Sequence, residues 1–279
     1  MLDLMSKAKN AIEAYNTQLR VNSTNIANMS VPGYKAMKVS FQTIFEQLIN
    51  QGTAAGADTG GTNPIQYGSS VGIGSTSLDF SQGSVTEGTP LDMAVNGSGL
   101  FVVSPDSGNT KLYTRAGKFQ IDSSGNLTTD TGMQVYGFNG GVLVPITGLS
   151  SYNTDRLSWT NDGQLAEYNM SSDGKSVDYT SVNKYTGYSI ALTSFTNLSG
   201  LAQAAGNTFA QTPSSGDPLA YKAAGDTYGT ISARNYEASN VFYTGEIIDS
   251  MEAQRAMSGN LTMLRMISDE ITNFINRIS

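Results

Sequence analysis

The chain has no cysteine and no histidine among its 279 residues. Those absences exclude disulfides, thiolate nucleophiles, the usual zinc sites and every histidine-based triad. Charge is scarce as well, at 14% of residues, with 16 basic side chains against 23 acidic ones and a net charge of −7. An acidic chain with scattered basic residues offers no electrostatic footprint for a nucleic-acid backbone. No apolar run approaches the roughly 18 residues that a membrane-spanning helix needs. The first residues also lack the basic-then-apolar order of a signal peptide, so if the chain leaves the cytoplasm, a route that cleaves no leader is expected.

Proline is sparse where helices are expected. None occurs after Pro218, and Gly245 and Gly259 are the only glycines after Gly229. Between Thr244 and Ser279, Met257, Leu264, Ile267, Ile271, Phe274 and Ile278 follow an alternating three-and-four spacing broken only by Asn260. That is the repeat of a helix with an apolar seam facing another helix. Glu246, Asp249 and Glu252 near its start suit the helix dipole, and Arg255 is placed to pair with Asp249 or Glu252. Residues 1–31 contain neither glycine nor proline. Ile12, Tyr15, Leu19, Asn22 and Ile26 form a second seam, expected to stop just before Pro32. Asn22, Asn25 and Asn28 share one face of this helix and are spaced either to cross-bond to neighbouring helices or to form a solvated polar face. An apolar seam that close to a terminus calls for a partner from elsewhere.

The middle of the chain differs. Phe41, Ile44, Phe45 and Leu48 suggest a short helical continuation. Residues 51–61 are small, polar and glycine-rich, and read as a flexible or extended connector. The run Gly68–Thr76 lacks the lysine of a phosphate-binding loop, and Val71–Phe80 reads as strand and turn. From Leu91 the texture is β. Leu91–Val95, a turn at Asn96–Gly99 and Leu100–Val103 form a hairpin candidate. Strand-like segments then recur at short intervals, through Lys118–Asp122 and Met133–Phe138 to Tyr188–Phe195, as in an antiparallel sandwich or barrel. Asp122, Asn126 and Asp130 read as an oxygen-rich turn, since the acidic spacing of a calcium loop is missing. Trp159, the one tryptophan, reads as a core anchor. The expected fold is α+β: long N- and C-terminal helices pairing as a coiled coil, with a central, mainly antiparallel β domain. The expected boundaries are 1–50 for the N-terminal helical segment, 51–80 for the connector, 81–230 for the β domain and 231–279 for the C-terminal helix.

Several motifs carry a family resemblance. Asn22-Ser-Thr-Asn-Ile-Ala-Asn28 with Pro32-Gly-Tyr-Lys35 resembles the N-terminal signature of the bacterial flagellar rod and hook proteins. Leu91–Val103 resembles the segment that opens their β domain, and Tyr113–Phe119 with Asp122–Leu127 the hairpin that follows. Ser239-Asn-Val241 and Met251–Ala256 are similar to the C-terminal signature, although Met257 stands where an aromatic is frequent. The stretch Gly140–Ser189 carries no part of the resemblance and is expected to be a lineage-specific part of the outer domain.

The resemblance implies a structural subunit with no enzymatic activity and no cofactor or metal. It implies a helical homopolymer that transmits torque, with the terminal helices around a central export channel and the β domain outside. On that basis Ile12, Tyr15, Leu19, Asn22, Asn25, Ile26, Asn28, Arg255, Met257, Leu264, Ile267, Ile271, Phe274 and Ile278 form the polymer core. The implied partners are further copies, other flagellar axial proteins with their caps and junction proteins, and the flagellar type III export apparatus. The implied location is the hook or basal body, with no direct membrane insertion. Gly60–Pro64 followed by Gly68–Gly74 resembles the connector of short hook proteins, while the length suits the distal rod equally well. The expectation leans to hook, with the distal rod as alternative. A β-domain adhesin or glycan-binding module with helical ends is the reading from another class, for which the 14 tyrosines are the available argument.

Overall fold

In the computed structural model, residues 2–50, 60–63, 65–224 and 227–278 are described. The chain forms two compact units, one of residues 1–27, 37–77 and 242–279, the other of residues 28–36 and 78–241.

The first unit is a helix pair with a hairpin. Helix α1 spans Leu2–Ala27 and helix α2 spans Tyr243–Ile278. At 1.5 Å per residue the 36-residue α2 is about 54 Å long. The two helices run antiparallel, since Asn22 and Asn25 near the end of α1 meet Glu246 and Ser250 near the start of α2. The α1 face that becomes most buried is Ala8, Ala11, Ala14, Val21, Asn22 and Asn25. Alanines let the two backbones approach closely, so the small residues, rather than the bulky line, take the centre of the contact. Ile12, Tyr15, Leu19 and Ile26 flank that face, half-buried. The helix stops at Ala27 rather than just before Pro32, because residues 28–31 close a turn with Val31 N–H donating to the Asn28 carbonyl at 3.1 Å.

The expected helical continuation over 41–49 is a strand instead. Strand β1 spans Met37–Asn50 and pairs with β2, Ile65–Leu78, as a two-stranded ribbon. Phe41, Ile44, Phe45 and Leu48 fit a helical spacing. Met37, Val39, Phe41, Thr43 and Phe45 also alternate at period two, and pairing with a distant strand selects that alternation. Most of the connector expected at 51–61 lies outside the described residues.

The second unit is the β domain. Its main sheet is almost wholly antiparallel and is centred on Leu100–Ser104, which pairs with Leu112–Thr114, Gln134–Asn139 and Val177–Thr193. All five residues of Leu100–Ser104 are buried. The core beneath the sheet includes Met93, Phe101, Phe119, Leu127, Val135, Ile146, Leu157, Trp159 and Ile190. Trp159 is 1% exposed, and its indole N–H donates to the Leu91 carbonyl at 2.9 Å. Phe101 and Phe119 stack edge to face at 5.3 Å.

The hairpin candidate 91–103 does not form. Met93–Asn96 pairs with Thr230–Ala233, in a sheet separate from Leu100–Ser104. Gly97 takes φ +141°, and a Cβ there would lie 2.7 Å from Gly229 Cα, so the glycine turn delivers the chain to a remote strand. The Phe119–Ile121 and Leu127–Thr129 strands do pair as a hairpin. The Asp122 carboxylate organises its turn by accepting from the backbone N–H groups of Ser124 and Asn126 at 2.9 and 2.7 Å.

Candidate functional site

The residues of the terminal and β-domain motifs converge on one buried polar knot within the β domain. Glu237, fully buried, accepts from the Lys35 ammonium at 2.6 Å through Oε1 and from Arg115 Nε at 2.8 Å through Oε2. Gly83 N–H donates to the same Oε1 at 2.8 Å. Lys35 also donates to the Ser81 carbonyl at 2.7 Å. Arg115 spends its remaining N–H groups on the carbonyls of Val95, Gly97 and Gly99. Burial pulls both the Lys35 ammonium and the Arg115 guanidinium below their ordinary values, and the Glu237 charge opposes that shift in each case. A buried charge set of this kind is tolerated only when every donor and acceptor is met.

Asn240 completes the knot. Its carbonyl accepts from Ala36 N–H at 2.8 Å, and its amide donates to the carbonyls of Asp79 and Ser81 at 2.8 and 3.1 Å. Gly33 N–H donates to the Glu237 carbonyl at 2.7 Å. Gly33 sits at φ +66° against Arg115 and Ala116, where a Cβ would come within 2.3 Å of the Ala116 nitrogen, so no larger residue fits without backbone movement. The three segments in the knot, at 33–36, 79–83 and 237–240, border the points at 36/37, 77/78 and 241/242 where the chain passes between the compact units. The arrangement ties these three segments together through hydrogen bonds and ion pairs.

In the helical unit Asn25 plays the comparable part. It is 1% exposed. Its side chain exchanges two hydrogen bonds with the Met37 backbone, each 2.9 Å, and donates to Glu246 Oε1 at 3.0 Å. The Asn22 amide lies 3.2 Å from the Ser250 hydroxyl in either orientation of the amide. Asn22 and Asn25 thus bond to the chain's own α2. Asn28 lies beyond the helix, in the turn. Burial pushes the Glu246 carboxyl above its ordinary value, with the Asn25 hydrogen bond opposing and Asp249 adding to the shift.

On α2, Met257, Leu264, Ile267 and Ile271 are half-buried and continue the line that starts at Glu246, Ser250 and the buried Ala253. Phe274 is 58% exposed, and the Ile278 side chain lies outside the described residues. Arg255 is exposed and makes no ion pair among the described residues, so the expected pairing with Asp249 or Glu252 is absent. Ile248 and Met251, and farther along α2 Met266, at 51%, 47% and 67% exposure, are apolar side chains left exposed on the opposite side of the helix.

Lys35 and Arg115 stood inside recognisable motifs, yet their roles were missed, as was that of Glu237. A charged side chain inside an otherwise apolar or glycine-rich motif was the available signal. The partner, 202 residues away for the Lys35–Glu237 bond, was not. Among the described residues no group of three acidic side chains is placed to hold a metal ion, and no helix is long and apolar enough to cross a membrane. A mainly apolar cleft of the β domain, about 480 Å3 beside Leu91, Phe119 and Ile121, contains Asp92, whose carboxylate already accepts from Thr89 N–H.

The family model of the flagellar hook protein FlgE/F/G D1 domain matches residues 94–175. Over 277 residues the chain is 31% identical to the flagellar basal-body rod protein FlgG of Bacillus subtilis (strain 168), covering 97% of each chain. This chain belongs to the flagellar hook–rod family. The corresponding rod protein of Agrobacterium fabrum is 30% identical, again over 97% of each chain. The flagellar hook protein FlgE of Helicobacter pylori (strain 26695) is 35% identical over 169 residues, 59% of this chain and 23% of that one. Two expectations change. Residues 140–175 fall inside the shared D1 domain, which removes most of the stretch expected to be lineage-specific. The balance between hook and rod moves to the rod, because these rod proteins are matched over 97% of each chain and the hook protein over 23% of its own length. The chain is thus a structural subunit of the flagellar axial structure.

Proposed function

We propose that the chain is the distal rod subunit of the flagellar basal body. It polymerises with further copies into a helical tube that transmits torque and leaves a channel for export. The observation that carries this reading is the match to rod proteins over 97% of each chain, at 31% and 30% identity. The half-buried flanks of the helix pair support the polymer part. Ile12, Tyr15, Leu19 and Ile26 on α1, with Arg255, Met257, Leu264, Ile267, Ile271, Phe274 and Ile278 on α2, contribute to a core shared between copies. The exposed Ile248, Met251 and Met266 add apolar surface to α2 outside that core. Each such apolar side chain that goes from exposed to buried contributes about 1.5–3 kcal/mol, repeated along the tube. The neighbouring axial proteins, with caps and junction proteins at the tube's ends, are the partners. The flagellar type III apparatus is the export route.

The test is immunogold labelling of isolated hook–basal bodies with antibody to residues 78–241. Gold on the rod below the hook is expected, and gold along the curved hook overturns the rod assignment. The hook remains the second reading, on the ground that a 169-residue stretch is 35% identical to a hook protein.

A further inference from the structure

A second cleft of the β domain, about 480 Å3, is lined by Glu87, Gly88, Pro90, Tyr179, Arg234 and Asn235. Arg234 stands at φ +59°, a left-handed conformation that costs a side-chain-bearing residue energy. Its backbone is held there from both sides, Arg234 N–H donating to the Asp92 carbonyl at 2.8 Å and its carbonyl accepting from Gly88 N–H at 2.9 Å. The guanidinium lies over the Tyr179 ring at 4.5 Å. That contact engages no N–H donor of the group in a hydrogen bond. Arg234 takes no side-chain hydrogen bond or ion pair among the described residues, even though Glu87 lines the same cleft. An oriented guanidinium with a free fork, on an acidic protein, fits a carboxylate.

We infer that this cleft receives an acidic turn from the β domain of a second copy. Arg234 takes the carboxylate, and Glu87 takes an N–H of the same turn. The chain itself supplies suitable groups. Asp130, Asp155 and Asp162 are exposed and accept no hydrogen bond or ion pair from the described residues, whereas Asp106, Asp122, Asp173 and Asp178 are each tied into their own turns. A cleft on one part of a subunit that takes a turn on another part is a heterologous contact. Such contacts propagate into open helical arrays wherever the rotation between copies does not close a ring. The inference rests on the axial-subunit reading and adds to it a lateral contact in the outer layer.

The test uses the full chain expressed in cells lacking the native copy, with assembled subunit counted in isolated hook–basal bodies. Arg234→Glu is expected to lower assembled subunit by about tenfold or more while the purified variant keeps the wild-type β-domain melting curve. Tyr179→Leu, which keeps the charge but removes its support, is expected to give a smaller loss. In the Arg234→Glu background, one of Asp130→Lys, Asp155→Lys or Asp162→Lys is expected to restore assembly. Normal assembly of Arg234→Glu overturns the contact but leaves the axial-subunit reading standing. Failure of all three reversals to restore assembly assigns the partner carboxylate to another molecule and overturns the second-copy inference. A wild-type chain absent from every axial structure would remove the axial-subunit reading and this contact together.

Discussion

The β domain and the helix pair bury their residues in opposite ways. In the β domain large side chains such as Phe101, Leu127, Leu157 and Trp159 are essentially inaccessible, and three charged groups are satisfied in the knot at Glu237. In the helix pair the buried residues are mostly alanine and asparagine, and of α2's described side chains only Ala253 falls below a tenth exposed. One unit completes its own core. The other spends its small residues on its own partner helix and keeps its large ones at the edge. On the polymer reading proposed above, the difference predicts that the β domain keeps its stability in the free subunit while the helix pair gains stability on assembly.

The sharpest way to break the contrast is at the knot. Glu237→Gln strands two buried cations and is expected to cost about 3–5 kcal/mol in denaturant unfolding of the β domain. A loss below 1 kcal/mol would mean that the ion set is solvated in solution. Matched truncations come next. Leu157→Ala should cost about 2–5 kcal/mol, and Leu264→Ala, half-exposed on α2, less than about 1 kcal/mol in the free subunit. Leu264→Asp should nonetheless prevent assembly while the β domain melts normally, and normal filaments from that variant would refute a polymer role for the seam. Asn25→Ala removes three hydrogen bonds around a buried site, with an expected loss of about 1–3 kcal/mol confined to the helical unit. Hydrogen exchange resolved by segment would detect it.

The smallest effect concerns pH, where the two regions carry opposite signs. Hydrogen bonds within their turns hold Asp106, Asp122 and Asp178 below the ordinary carboxylate value. Their contribution is present above pH 3.8 and is lost as pH falls through the lower folded values. Glu246 is raised, so its protonated form is the one folding favours. Its penalty grows as pH rises from 4.5 through the higher folded value and is complete above it. Acidification from neutral toward pH 4.5 is therefore expected to protect the α1–α2 amides, and Glu246→Gln should abolish that response. An unchanged response in the variant would remove Glu246 as its source.

Much of this was legible in the chain. The three-and-four spacing over 257–271 and the period-two segments from Met133 onward announced helical ends around a β middle. The turn residues Asp122, Gly125 and Asn126 marked a hairpin that forms. The failures share one cause. Phe41 to Leu48 satisfied two periods at once, and only pairing with Ile65–Leu78 chose between them. Leu91–Val103 had the local chemistry of a hairpin, but each arm found a better partner far away in sequence, Thr230–Ala233 for one and Leu112–Thr114 for the other. On α1 the bulky residues drew the seam by size, whereas close helix packing selected the alanines beside them.

By itself the sequence determined the secondary-structure classes, the absence of histidine and cysteine chemistry, and the family, since composition and local spacing are properties of neighbouring residues. Only the tertiary structure decided which face of α1 is buried, that Lys35, Arg115 and Glu237 form one charge set, and that Arg234 is left with an open fork. Those outcomes depend on groups brought together across up to 202 residues, where desolvation and close packing, not local preference, set the energy.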